Sequence, residues 1–275
     1  DEDGNVTEST AYQYDGNGNQ TAQTITPSEG TAASITLSYD TENRLSQYVK
    51  KEGDTITLTQ TNRYNGSGQR IQKVEGDGTI NYFYDVDTVL YTTDELGDLT
   101  AVNHMGTQNN VICTSRFGED GTGEDEAYES GTEALYYYTK DIRESTTNLL
   151  DSTGSGVVSY QYTDFGETSI HGDETFYNEV CFTGGIYDEG TGLYYLNARY
   201  YNPEDGRFLT EDTYTGENTD PESLHLYAYC TNNPVTNADP SGHIAIFCIV
   251  GAAVGGVAAE YASYKYETLE QPLCF

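Results

Sequence analysis

The chain has 275 residues, enough to bury a core as one large domain or two ordinary ones. Its 45 Asp and Glu against 12 Lys and Arg leave a formal charge of -33, a field that repels phosphate backbones and anionic lipid heads and excludes nucleic acid as a partner for the bulk of the chain. Apolar residues make up only 36%, yet there are 26 Tyr and no Trp, so tyrosine must carry much of the packing, with each buried hydroxyl needing a partner.

That balance suits β-sheet with wet faces better than a helical bundle. Five cysteines, Cys113, Cys181, Cys230, Cys248 and Cys274, are odd in number and form no CxxC pair, so free thiols are expected. No metal or cofactor motif is present: HExxH, GxSxG, a Walker loop and a GxGxxG after a strand are all missing, and His104, His171, His225 and His243 stand among dissimilar neighbours. Asp1 to Thr10 is acidic and polar, unlike a signal peptide, and the chain opens without Met and in mid-pattern, as a piece of a longer protein would.

Residues 1–117 read as a repeat array. Tyr14-Asp15, Tyr39-Asp40, Tyr64-Asn65 and Tyr84-Asp85 follow one another at steps of 25, 25 and 20 residues. Each is followed by a polar turn, GNGN, TENR, GSGQR or VDT, and most then lead into short alternating runs such as ITLTQT, so the unit is strand, turn, strand. Such units bury a face only by stacking on their neighbours. Asp15-Gly-Asn17-Gly-Asn19 has the alternate oxygens of a calcium loop, but Gln20 and Thr26 stand where an EF-hand needs Gly and Glu, which leaves a turn.

Residues 118–133, GEDGTGEDEAYESGTE, form an acidic, low-complexity stretch that reads as a flexible surface insertion. From Ala134 a Tyr-rich strand, ALYYY, leads through a polar turn to VVSYQY and Phe165-Gly166. Gly192 to Arg207, GLYYLNARYYNPEDGR, then runs on through FLTED, LYAYCTNNP and ADPSG to Gly242. Asn232-Asn233-Pro234 and Asp239-Pro240-Ser241-Gly242 are turn formers, since proline fixes its own φ and biases the residue before it to extended geometry. Beyond Gly242, Ile244 to Ala259 is apolar and uncharged with Gly251 and Gly255 four apart, and a short helix at about 244–262 is expected. Sixteen apolar residues fall short of a usual membrane span, so any membrane contact would be confined to this stretch.

These motifs resemble those of RHS (YD-repeat) proteins. Tyr39, Asp40, Asn43, Arg44 and Leu45 match the repeat best, and residues 134–242 resemble the RHS repeat-associated core. The resemblance implies an all-β fold, a β-hairpin sheet curling into part of a shell, with the core as its plug and residues 243–275 as a variable tail. It departs at Asp141-Ile142-Arg143, where the family more often has His and Gly, so one turn is expected to differ there.

In members with a self-cleaving core, and in the related C component of Tc toxins, the chemistry resembles that of an aspartic protease; the matching positions are Arg199, Asp212 and Asp239. Two carboxylates held close share a proton, one activating water and the other protonating the leaving amine, while an arginine steadies the charge. The plainer reading makes Asp212 a turn cap, Asp239 a turn initiator and Arg199 a strand-face ion pair. The sequence also departs from the cleaving form: the loop from Asp212 to Leu226 is long and lacks a Pro after the first Asp, and His243 follows Gly242 where Leu is common.

The resemblance implies a secreted or cell-surface scaffold that encapsulates a toxin, with its own C-terminal effector segment as partner and a delivery apparatus beyond, and cleavage just after DPSG. The alternative is a noncatalytic surface or cell-wall protein whose Tyr-rich sheets bind carbohydrate or protein.

Overall fold

The computed structural model describes residues 8–107, 110–117, 134–173, 176–216, 221–243 and 246–247. The acidic stretch 118–133 lies outside them. So does the expected helix at about 244–262 except for Ile246–Phe247, where the expectation is corrected: the pair is a strand, in keeping with the extended preference of β-branched and aromatic residues. No helix among the described residues is long and apolar enough to cross a membrane.

Fourteen strands form one open antiparallel meander in chain order. The first ten are β1 (Glu8–Tyr14), β2 (Gln20–Pro27), β3 (Ala33–Tyr39), β4 (Leu45–Glu52), β5 (Thr55–Tyr64), β6 (Arg70–Glu75), β7 (Gly78–Asp85), β8 (Thr88–Thr93), β9 (Leu99–Met105) and β10 (Val111–Arg116). The sheet continues with β11 (Ala134–Lys140), β12 (Thr146–Leu150), β13 (Gly156–Tyr162) and β14 (Thr168–Gly172). A second sheet contains β15 (Ile186–Asp188), β16 (Leu193–Leu196), β17 (Arg199–Asn202) and β18 (Arg207–Phe208). Last, β19 (Asn237–Ala238) pairs with β20 (Ile246–Phe247).

The repeat works through its turn. Asp15, Asp40, Asn65, Asp94, Asp141 and Asp151 each accept, on one side-chain oxygen, the backbone N–H groups two and four residues ahead, at 2.8 to 3.0 Å. The side chain thus satisfies donors that a tight turn would otherwise orphan. At Asp15 the second oxygen also accepts Asn19 Nδ2, at 3.0 Å, in support of the turn reading. Asp141 builds the same turn as the other five, with Glu144 at φ 67°. Tyr84-Asp85 does depart: Asp85 pairs with Thr88 across a two-residue loop, and the repeat's turn form reappears at Asp94.

The tyrosines of the repeat have a matching task. Tyr39, Tyr64, Tyr84 and Tyr162 donate their hydroxyls to the carbonyls of Gln20, Leu45, Arg70 and Thr146 at 2.7 to 2.8 Å. Each acceptor is the first residue of a strand, just where the register slips by a bulge. A bulge frees a ladder carbonyl, and the tyrosine of the next repeat satisfies it.

Every residue of β16 and β17 is buried, because this small sheet lies between two stretches of the large one. Leu193, Tyr195 and Tyr200 pack with Leu37, Leu45 and Tyr48 from β3 and β4. Alternate residues Tyr194, Leu196 and Tyr201 pack with Leu149, Val158 and Tyr160 from β12 and β13. The meander must therefore curve around the small sheet, which fills its concave side as a plug.

A buried charge cluster fixes the two together. Arg70 and Asp188, both with fully buried side chains, pair at 2.5 Å, and Lys73 reaches Asp188 at 3.2 Å and Glu179 at 2.7 Å. Gln60 donates to Asp188 at 2.8 Å and Tyr82 to Glu179 at 2.7 Å, while the Arg70 guanidinium lies over the rings of Tyr82 and Tyr195. Burial alone would raise the Asp188 carboxyl, but Arg70 and Lys73 outweigh it and hold the pKa at about 2.

A carboxylate depressed below its unfolded value contributes its stability in full above that value and loses it as pH falls through the folded one. The urea midpoint of the parent should thus drop more steeply than that of Asp188→Asn between about pH 4 and about pH 2, the variant being the less stable at neutral pH. Equal slopes for the two proteins would contradict this role for Asp188.

Candidate active site

The hairpin between β16 and β17 is two residues long, Asn197 and Ala198, with Asn197 at φ 57°. It serves as a seat for the DPSG turn: the Ala198 N–H donates to the Ser241 carbonyl at 3.2 Å and Asn197 Nδ2 to the Pro240 carbonyl at 3.1 Å. Gly242 sits at φ 74°, and a Cβ there would lie 2.4 Å from the Leu196 carbonyl oxygen. Only glycine fits both the handedness and the close approach.

Arg199 begins β17 right beside this seat. Its guanidinium lies 3.6 Å from the centre of the Phe208 ring, donates through Nη1 to the Leu226 carbonyl at 3.0 Å and pairs through Nη2 with Asp212 Oδ2 at 2.6 Å. The same Nη2 stands 4.0 Å from Asp239 Oδ2, and Nε donates to the Gly242 carbonyl. All three side chains are at most 10% exposed. Asp212 is positioned from β18, with its own N–H donating to the Leu226 carbonyl at 3.1 Å.

Asp239 lies within the turn. Its Oδ1 accepts the Ser241 hydroxyl and the His243 N–H, each at 3.1 Å. Burial raises its pKa above the ordinary carboxyl value, with Arg199 pulling the other way. Burial likewise lowers Arg199, against the pull of Asp212 and Asp239. A proton on Asp239 is thus favoured by burial, while Asp212 is in direct contact with the guanidinium.

The structure brings together all three residues singled out in the sequence. It adds two features that sequence reasoning missed. One peptide link, Gly242–His243, has its carbonyl on Arg199 and its N–H on Asp239, and the His243 Nδ1 lies 3.0 Å from Asp212 Oδ1. The second is Phe208, in the GRF segment, whose ring lies beneath Arg199. A separate cavity of about 260 Å³, between β2 to β4 and the plug, is lined by none of these residues.

A family model described as the teneurin YD-shell matches residues 128–235. Among curated proteins the chain is 37% identical over 237 residues to the tRNA nuclease WapA of Bacillus subtilis, covering 85% of this chain and 9% of that protein. It is 33% identical over 204 residues to the toxin subunit YenC2 of Yersinia entomophaga, covering 69% of this chain and 20% of that one. The chain thus spans about a tenth of the WapA protein and a fifth of YenC2. Among solved structures, TcdB2-TccC3-Cdc42 superposes with a TM-score of 0.58 at 22% identity over 86% of this chain and 13% of the other, a likeness of fold.

Gly242→Ala tests the seat. The added methyl should destabilise the fold by roughly 2 kcal/mol, as strain at a left-handed position combines with overlap on the Leu196 carbonyl. Urea unfolding measures it, and a change below about 0.5 kcal/mol would show that the turn docks elsewhere.

Proposed function

The chain belongs to the RHS/YD-repeat family, and on that premise we propose that its plug cuts the backbone at Gly242–His243, freeing the segment that begins at His243 from a β-sheet shell that encloses it. The scaffold itself is a YD-shell, like that of Tc toxin shell proteins. The reading is carried by one observation: a single peptide link has its carbonyl oxygen on Arg199 Nε and its nitrogen on Asp239 Oδ1, with Asp212 on Nη2 of the same guanidinium.

The contacts support hydrolysis at that link by the following steps. A water oxygen attacks the Gly242 carbonyl carbon while Asp212, paired with Arg199, takes the water's proton. Negative charge gathers on the Gly242 oxygen, where Arg199 Nε already donates. As the tetrahedral carbon collapses, the C–N bond breaks and Asp239 gives its proton to the His243 nitrogen. The products are a Gly242 carboxyl group and a His243 amine, and a proton passing from Asp212 to Asp239 restores the pair.

The wider role follows from what the chain resembles. Nuclease and toxin-subunit relatives support a shell that holds a toxic segment, secreted or displayed at the cell surface, and a core that separates the two covalently. The curvature of the sheet around the plug fits such enclosure, as does a surface charge that disfavours nucleic acid on the shell itself.

Purified chain, incubated and run on a denaturing gel, should release a fragment whose N-terminal residue is His243. Asp212→Asn and Asp239→Asn should slow that release by about 100-fold or more, since each removes a proton-transfer group. An intact parent after prolonged incubation, or release from both variants at the parent's rate, would contradict the cleavage reading.

A further inference from the structure

His243 lies on the departing side of the proposed scissile link, yet its side chain reaches back to the acid across it. Its Nδ1 is 3.0 Å from Asp212 Oδ1. That oxygen also accepts the Tyr214 N–H at 3.0 Å, and Oδ2 accepts Arg199 Nη2 at 2.6 Å. A carboxylate acting as a base only accepts, so in its proposed role Asp212 takes the N–H of the imidazole nitrogen at this distance. The base of the proposed hydrolysis is therefore bonded to a residue of the product, where the attacking water would need to be.

We propose that His243 is a positioning residue that latches the acid pair, its Nδ1–H holding Asp212 Oδ1 and so withholding from water the oxygen that would take its proton. The inference rests on the self-cleavage reading and deepens it. The charged groups that face the imidazole are Asp212, directly, and Arg199 and Asp239 behind it. The backbone N–H of His243 is tied separately, to Asp239 Oδ1 and to Ser241 Oγ at 3.3 Å, so the ring can leave Asp212 while the scissile link stays in place. With 26% of its side chain exposed, the imidazole has an outward path. Cleavage should then proceed at the chemical rate scaled down by the fraction of molecules in which the ring has left Asp212.

Three full-length chains separate this from a merely structural role: the parent, His243→Leu and His243→Asn. Leu removes the donor, whereas Asn places an amide N–H near the position of Nδ1–H. Release of the fragment should be about ten-fold faster in His243→Leu and within about three-fold of the parent in His243→Asn, the scale of one charge-assisted hydrogen bond. A rate for His243→Leu at or below the parent's would overturn the latch, as would equal acceleration by Leu and Asn. Adding Asp212→Asn to His243→Leu keeps the two ideas apart: the double variant should not cleave, and if it cleaves as fast as His243→Leu alone, both the latch and the acid-pair reading fail.

Discussion

Arg70 and Asp188 meet with both side chains fully buried, and the rest of the molecule is arranged around that meeting. One comes from the wall, the other from the plug. Taking both charges out of water costs several kcal/mol each, which only a dense network can offset. Here Lys73, Glu179, Gln60, Tyr82 and Tyr200 supply it, so the pairing discriminates strongly among alternative seatings of the plug. Apolar packing of β16 and β17 would tolerate a slip along the wall far better than this set of partners does.

The position of the acid pair is inherited from that seating. Tyr200 reaches the charge cluster through its hydroxyl and Tyr201 packs into the opposite core, while Arg199, next in line on β17, projects toward the DPSG turn. A strand gripped on both faces has little freedom to shift, so the guanidinium is held where Asp212 and Asp239 converge. The plainer readings of these residues survive within this picture: Arg199 is an ion-pair residue and Asp239 does build a turn. Their shared location around one peptide link is what those readings leave unexplained.

Much of the fold was legible in the sequence because the repeat writes its turn in side chains. Asp15, Asp40 and Asn65 recur at steps of 25 since each must accept the same two N–H groups, and the paired tyrosines recur because each bulge frees a carbonyl. Tyr84-Asp85 misled, as a dipeptide cannot reveal whether its loop closes in two residues or five. The charge cluster left no trace: Arg70 and Lys73 stand more than 100 residues before Glu179 and Asp188, and all four sit in unremarkable contexts. Arg199, Asp212 and Asp239 were found by family motif, whereas His243 stood out only as a misfit, and its contact with Asp212 requires knowing how the DPSG turn is seated.

Wall and plug are joined by a coupled pair of buried charges, Arg70 and Asp188. A double-mutant cycle on Arg70→Met and Asp188→Leu, read by urea unfolding at neutral pH, tests it directly. Each single change should cost about 3 to 5 kcal/mol because it strands the other charge, and the double variant should recover a large part of the summed loss. Additive costs, with the double variant as unstable as the two single losses together, would mean that the pair does not hold the plug in its wall.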